Sequence, residues 1–121
     1  MHVFGFEKLE VWQDAKCLTL LVYKATKDFP SEEKYGLVSQ LRRAVISVSS
    51  NIAEGSSRMS PKDQAHLYQI AFSSLMEVLS QIIISVDLGY MDEQDSFRLE
   101  ISKIANKLNA LRNSSLSSIK K

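Results

Sequence analysis

The chain is short of the residues that cross-link, ligate and punctuate. Cys17 is the only cysteine among 121 residues, which excludes an internal disulfide and a cysteine-built zinc site and leaves this thiol to be read as a small buried hydrophobe. Four glycines include no Gly-rich loop to cradle a nucleotide phosphate. Of two histidines, His66 has only Asp63 one turn away, and His2 lies near the terminus. No Glu-x-x-His motif of the kind that builds di-iron bundles occurs, so neither a metal nor a cofactor is expected. Cys17 and the serines lack a neighbouring histidine and acid to activate them, which argues against an enzyme.

Long apolar runs are missing too. Val78 to Leu88 is the most apolar stretch, but Ser80, Gln81, Ser85 and Asp87 interrupt it, and it falls short of the roughly 20 residues that span a bilayer. The first residues carry Glu7, Lys8, Glu10 and Asp14 instead of the apolar run of a secretory signal, so a cytoplasmic protein is expected. A net charge of +1 argues against a generally basic surface, although a local basic patch can still attract phosphate. The length suits one domain over residues 1–121 with one core.

What is present is helical periodicity. Val11, Ala15, Leu18, Val22, Ala25 and Phe29 step by four and three, which predicts a first helix over about 9–28 with Pro30 as its stop. Ser31, Glu32 and Glu33 start a second, over about 32–55, which Gly36 delays until near Leu37 and Gly55 ends as a left-handed cap. Ser60, Pro61 and Asp63 mark the start of a third, over about 61–89. Asp92 caps a fourth, over about 93–112, with Phe97, Ile101, Ile104, Leu108 and Leu111 as its seam; the Ser-rich tail 113–121 reads as loose. Short connections imply an all-α, antiparallel up-down-up-down four-helix bundle.

Two surfaces exceed what such a bundle requires. The third helix is apolar around most of its circumference, and Ile46 and Ala53 on the second lie off its main stripe. Ile46, Ala53, Phe72, Met76, Leu79 and Ile83 are therefore expected to cover one another between copies of a homo-oligomer. Beside the apolar stripe Leu41, Val45, Val48 and Ile52 runs a polar one: Gln40, Arg43, Ser47, Asn51, Glu54 and Arg58. This row fits phosphate or base contacts, or a buried network in which Arg43 pairs with Glu54 or with Glu77. The network is the preferred reading for Gln40, Arg43, Ser47, Asn51, Glu54 and Glu77, while Arg42, Arg58 and Lys62 are the candidates for contact with nucleic acid. Trp12, Tyr23, Tyr35, Tyr68 and Tyr90 suit a core better than base stacking. Lys16, Lys24, Lys27, Lys103, Lys107 and Arg112 suit either a basic outer surface or an ordinary solvated one.

The motifs Phe6-x-x-Leu9-x-Val11-Trp12, Phe29-Pro30, Glu33-x-Tyr35-Gly36-Leu37, Gln40-Leu41-Arg42-Arg43-Ala44 and Ser50-Asn51-Ile52-Ala53-Glu54-Gly55 recur in one family. With Arg58, Ala71, Ser74-Leu75-x-Glu77 and Leu88-Gly89-Tyr90, the chain resembles the S23 proteins, named for the 23S rRNA intervening sequence. It departs from them at Ser73, where glycine is usual, and at Leu79, where an acid is common. The resemblance implies four-helix bundles in a ring-like pentamer around a polar and basic channel, with no catalytic residues. Members are encoded within inserted segments of bacterial 23S rRNA genes, and related proteins assist the reverse transcriptase of diversity-generating retroelements. The expectation is a non-enzymatic, oligomeric bundle that binds RNA or DNA, with ribosomal RNA or a reverse transcriptase as candidate partners; the alternative is a protein-interaction scaffold.

Overall fold

The structure, a computed structural model, describes residues 1–119. It contains α1 (Glu10–Thr26), α2 (Leu37–Ser57), α3 (Pro61–Asp87) and α4 (Asp95–Ile119), and no strand among the described residues. Short 3-10 turns at Gly5–Lys8 and Ser31–Glu33 precede α1 and α2.

The ends of the helices show which local signals acted. Ser60 Oγ accepts the Asp63 N–H at 3.4 Å and Pro61 takes the first position of α3, as the sequence predicts. The left-handed cap belongs to Gly89 and not to Gly55. Gly89 has φ 81°, its N–H donates to Val86 O, and Tyr90 N–H reaches back to Ser85 O, so two carbonyls at the end of α3 are satisfied. Gly55 is instead buried within α2, where a β-carbon would lie 2.7 Å from Tyr68 Cε1. Its missing side chain lets α2 and α3 approach.

Carboxylates govern the starts of α2 and α4. Glu33 Oε1 accepts the Leu37 N–H at 3.2 Å, while Oε2 accepts the Tyr90 hydroxyl at 3.1 Å, so one side chain begins α2 and ties down the α3–α4 connection. Glu93, in place of the expected Asp92, accepts the N–H groups of Asp95 and Ser96 at 2.6 and 3.3 Å and so opens α4. The Ser96 hydroxyl also donates to Glu93, and these bonds hold the carboxyl below its ordinary range. The expected loose tail is helical through Ile119; Lys120 and Lys121 lie outside the described residues. Ser115 explains the extension, since it is buried and donates to Gln64 Oε1 at 3.1 Å.

The helices bury one stripe each in a common cluster, the predicted ones on α1, α2 and α4 and a narrower one than the apolar circumference of α3 suggested: Val11, Ala15, Leu18 and Val22; Leu41, Val45, Val48 and Ile52; Leu75, Val78 and Ile82; Ile101, Ile104 and Leu108. Each large side chain here contributes roughly 1.5–3 kcal/mol of burial free energy. Cys17 is exposed, contrary to expectation, because it lies one residue, roughly 100°, from the stripe position Leu18. Taken over its whole length, α3 has an 18-residue window of mean hydropathy 1.5, long and apolar enough to cross a membrane by that measure alone. Its stripe from Ala65 to Ser85 is nevertheless buried in the bundle.

Lys103 and Lys107 do not form an outer basic surface. Lys107 Nζ lies 2.6 Å from Asp14 Oδ2 and 3.5 Å from Glu10 Oε2, and Lys103 Nζ lies 3.6 Å from Asp14 Oδ1 and 3.2 Å from Glu100 Oε2. All but the Lys103–Glu100 pair, which lies within α4, join α1 to α4. Arg112 is half-buried against Gln69.

Candidate nucleic-acid interface

The polar row of α2 divides into parts with different neighbours. At its middle, Ser47 Oγ meets Ser74 Oγ of α3 at 2.9 Å, and Asn51 Nδ2 donates to Ser47 O and Oγ at 2.8 and 3.1 Å. This relay satisfies polar groups where the two helices meet. At its start, Arg43 donates to Gln40 Oε1 at 2.5 Å, and both are exposed. The expected Arg43–Glu54 pair does not form: eleven residues of helix separate them by roughly 16 Å. Nor does Arg43 pair with Glu77, which accepts from Gln81 Nε2 at 3.2 Å. None of the ion pairs among the described residues includes Arg43, Glu54 or Glu77.

The three candidate cations also divide. Arg42 faces α1: its guanidinium lies 4.5 Å from the Tyr23 ring centroid, Nε donates to Thr26 Oγ1 at 3.0 Å and Nη2 to Tyr23 O at 3.3 Å. Because the Lys27 N–H turns back to Lys24 O, Tyr23 O at the end of α1 does not receive that backbone donor and accepts instead from the Thr26 hydroxyl, at 3.2 Å, and from Arg42. A cation there also favours the negative end of the helix dipole. Arg58 and Lys62 lie at the opposite end of α2, on either side of the turn into α3. Both are exposed, and neither side chain has a hydrogen-bonded or ionic partner among the described residues. Arg58 borders a cleft of about 220 Å³ with Asp63, His66 and Leu67. His66 is exposed and without a partner among the described residues, and it borders the same cleft.

The apolar surplus is similarly split. Ile46 and Met76 are 42% and 36% exposed, whereas Phe72 and Leu79 pack against the chain's own core. Ile83 is half-buried, and Ala53 lines a cleft beneath the N-terminal turn. Ile84 on α3 and Leu88 just past its end, absent from the predicted set, are 47% and 54% exposed. The continuous apolar circumference of α3 was the signal that should have included them. Ser73 is exposed, and the close approach of α2 to α3 falls at Gly55.

By architecture the chain is a four-helix-bundle protein with open clefts, and its described residues include no grouped metal ligands. Residues 7–110 match the family described as 23S rRNA-intervening sequence protein, and the chain belongs to that family. Among solved structures it is similar to a protein of unknown function from the S23 ribosomal protein family of Bacteroides thetaiotaomicron VPI-5482. The TM-score is 0.61 at 18% identity, covering 92% of this chain and 99% of that one. No match was found among curated proteins.

Proposed function

We propose that the protein is a non-enzymatic, oligomeric bundle that binds nucleic acid through the end carrying Arg58 and Lys62. The observation that carries this reading is the contrast between cations. Lys103 and Lys107 are neutralised by carboxylates, whereas Arg58 and Lys62 extend from adjacent helix ends without partners among the described residues. Unpaired cations at a rigid corner suit phosphate, which guanidinium groups bind bidentately. Arg42 contributes to the position of α1, not to this patch.

The reading includes an assembly. Later residues of α2 meet earlier residues of α3, as Ser47–Ser74 and Gly55–Tyr68 show, and Arg42–Thr26 and Arg112–Gln69 relate the flanking helices in the same sense. These pairings support an up-down-up-down order. Exposed Ile46, Met76, Ile84 and Leu88 support a homo-oligomer, for which the family resemblance suggests a pentameric ring. Repeating one small cationic corner around a ring lets weak sites engage one polyanion together.

The same exposed apolar residues favour a second reading, a scaffold that docks a protein such as a reverse transcriptase without touching nucleic acid. A pull-down with nuclease treatment separates the two. Partners released by nuclease support the first reading, and partners retained support the scaffold.

A further inference from the structure

Resting on the nucleic-acid reading above, we propose that the cleft between the N-terminal turn and the end of α2 receives a guanine base from a single-stranded nucleic acid. The cleft measures about 560 Å³ and has Phe4, Phe6, Leu9 and Ala53 as apolar walls, with Glu54 and Ser57 also on its lining. Its volume falls in the range of small-molecule sites, about 300–1,000 Å³. Phe4 is 61% exposed, so its ring offers a stacking surface at the rim.

The polar side chains select the ligand by what they lack. Ser56 Oγ already donates to Ala53 O at 3.0 Å and Ser57 Oγ to Glu54 O at 2.8 Å, leaving both hydroxyls to act as acceptors. The Glu54 carboxylate accepts only, and it has no partner among the described residues. A ligand that satisfies this lining must therefore bring N–H donors and a flat apolar face. Arg58 follows Ser57 directly in sequence but is not on this lining; it borders the separate cleft with Asp63, His66 and Leu67, and the choice of a nucleobase over another N–H donor rests on the nucleic-acid reading.

Guanine alone among the common bases presents two adjacent donors, N1–H and N2–H, that match the two oxygens of one carboxylate. Adenine and cytosine each set a donor beside an acceptor on that edge, and uracil flanks its single N–H with two acceptors. Stacking on Phe4 and a paired hydrogen bond to Glu54 then act on one base.

The test is fluorescence anisotropy with the full chain and labelled RNA oligonucleotides: an oligoadenylate, and the same strand carrying isolated guanines. The guanine-bearing strand should bind roughly tenfold more tightly, the discrimination expected of a good bidentate contact. Glu54→Gln should abolish that preference without weakening oligoadenylate binding, since the amide removes a negative charge and can pair with adenine, and Phe4→Ala should weaken both strands. Both positions are exposed, and circular dichroism checks that each variant is folded. Equal affinity for the two strands with Glu54→Gln silent would overturn the guanine site while nucleic-acid binding stands. No binding of either strand would overturn both.

Discussion

Gly55 and Tyr68 mark the closest helix contact that the glycines permit: a β-carbon on Gly55 would meet the Tyr68 ring at 2.7 Å from Cε1 and 2.9 Å from Cδ1. The ring is buried, and burial raises the pKa of its phenol. Gly55→Ala should therefore push α3 away from α2 although alanine favours helix. The expected destabilisation, measured by urea unfolding, is about 1–3 kcal/mol, as for other overpacked cores. An unchanged midpoint would mean that Tyr68 moves aside freely.

Arg42 is predicted to act through stability. Arg42→Ala should cost about 1–2 kcal/mol, the lower part of what a hydrogen bond to a charged group contributes, because the guanidinium is half-exposed. Lysine at this position keeps the charge but not the fork that spans Thr26 and Tyr23, so Arg42→Lys should recover only part of the loss. Thermal unfolding of the three proteins checks this order.

The α1–α4 seam should respond to alkali. Lys107 has its pKa raised first by its hydrogen bond to Asp14, and Lys103 by its bond to Glu100 together with the Asp14 charge. A raised lysine pKa stabilises the fold fully below the ordinary lysine value of 10.5, and the contribution disappears as pH rises through the folded value. Unfolding followed upward from pH 9 or so should show this loss, and Asp14→Asn should reduce it. Added salt should weaken the seam at neutral pH.

Much of this fold was legible because apolar periodicity is local. The stripes Val11–Val22, Leu41–Ile52 and Ile101–Leu108 are buried as expected. What depended on distant partners was misread or missed. Ser115 looked like part of a loose Ser-rich tail, yet Gln64 on α3 holds it in a helix. Arg42 looked like a free cation until Tyr23 and Thr26 were placed beneath it. The Asp14–Lys107 contact spans 93 positions. Its signal was available nonetheless, since Glu10 and Asp14 repeat four apart, as do Lys103 and Lys107. At the candidate site, sequence named Arg58 and Lys62, whereas the placing of His66 beside Arg58 depends on the turn between α2 and α3.

The oligomer has its own test. A ring uses two different patches of each subunit, so placing a charge on either should open it. Ile46→Glu and Ile84→Glu, each at an exposed position, should yield folded monomers by light scattering while the unaltered chain gives a larger mass. A monomeric mass for the unaltered protein would refute the assembly.

The most direct test of nucleic-acid binding is its salt dependence. Affinity for a single-stranded RNA should fall steeply as salt rises, with each phosphate contact contributing about 0.7 to the logarithmic slope. Arg58→Ala combined with Lys62→Ala should weaken binding and flatten that slope, while Lys103→Ala, removing a cation already paired with Asp14 and Glu100, should leave it unchanged. Binding that ignores salt, or a double variant that binds as tightly as the unaltered protein, would contradict the assignment of this corner as the nucleic-acid contact.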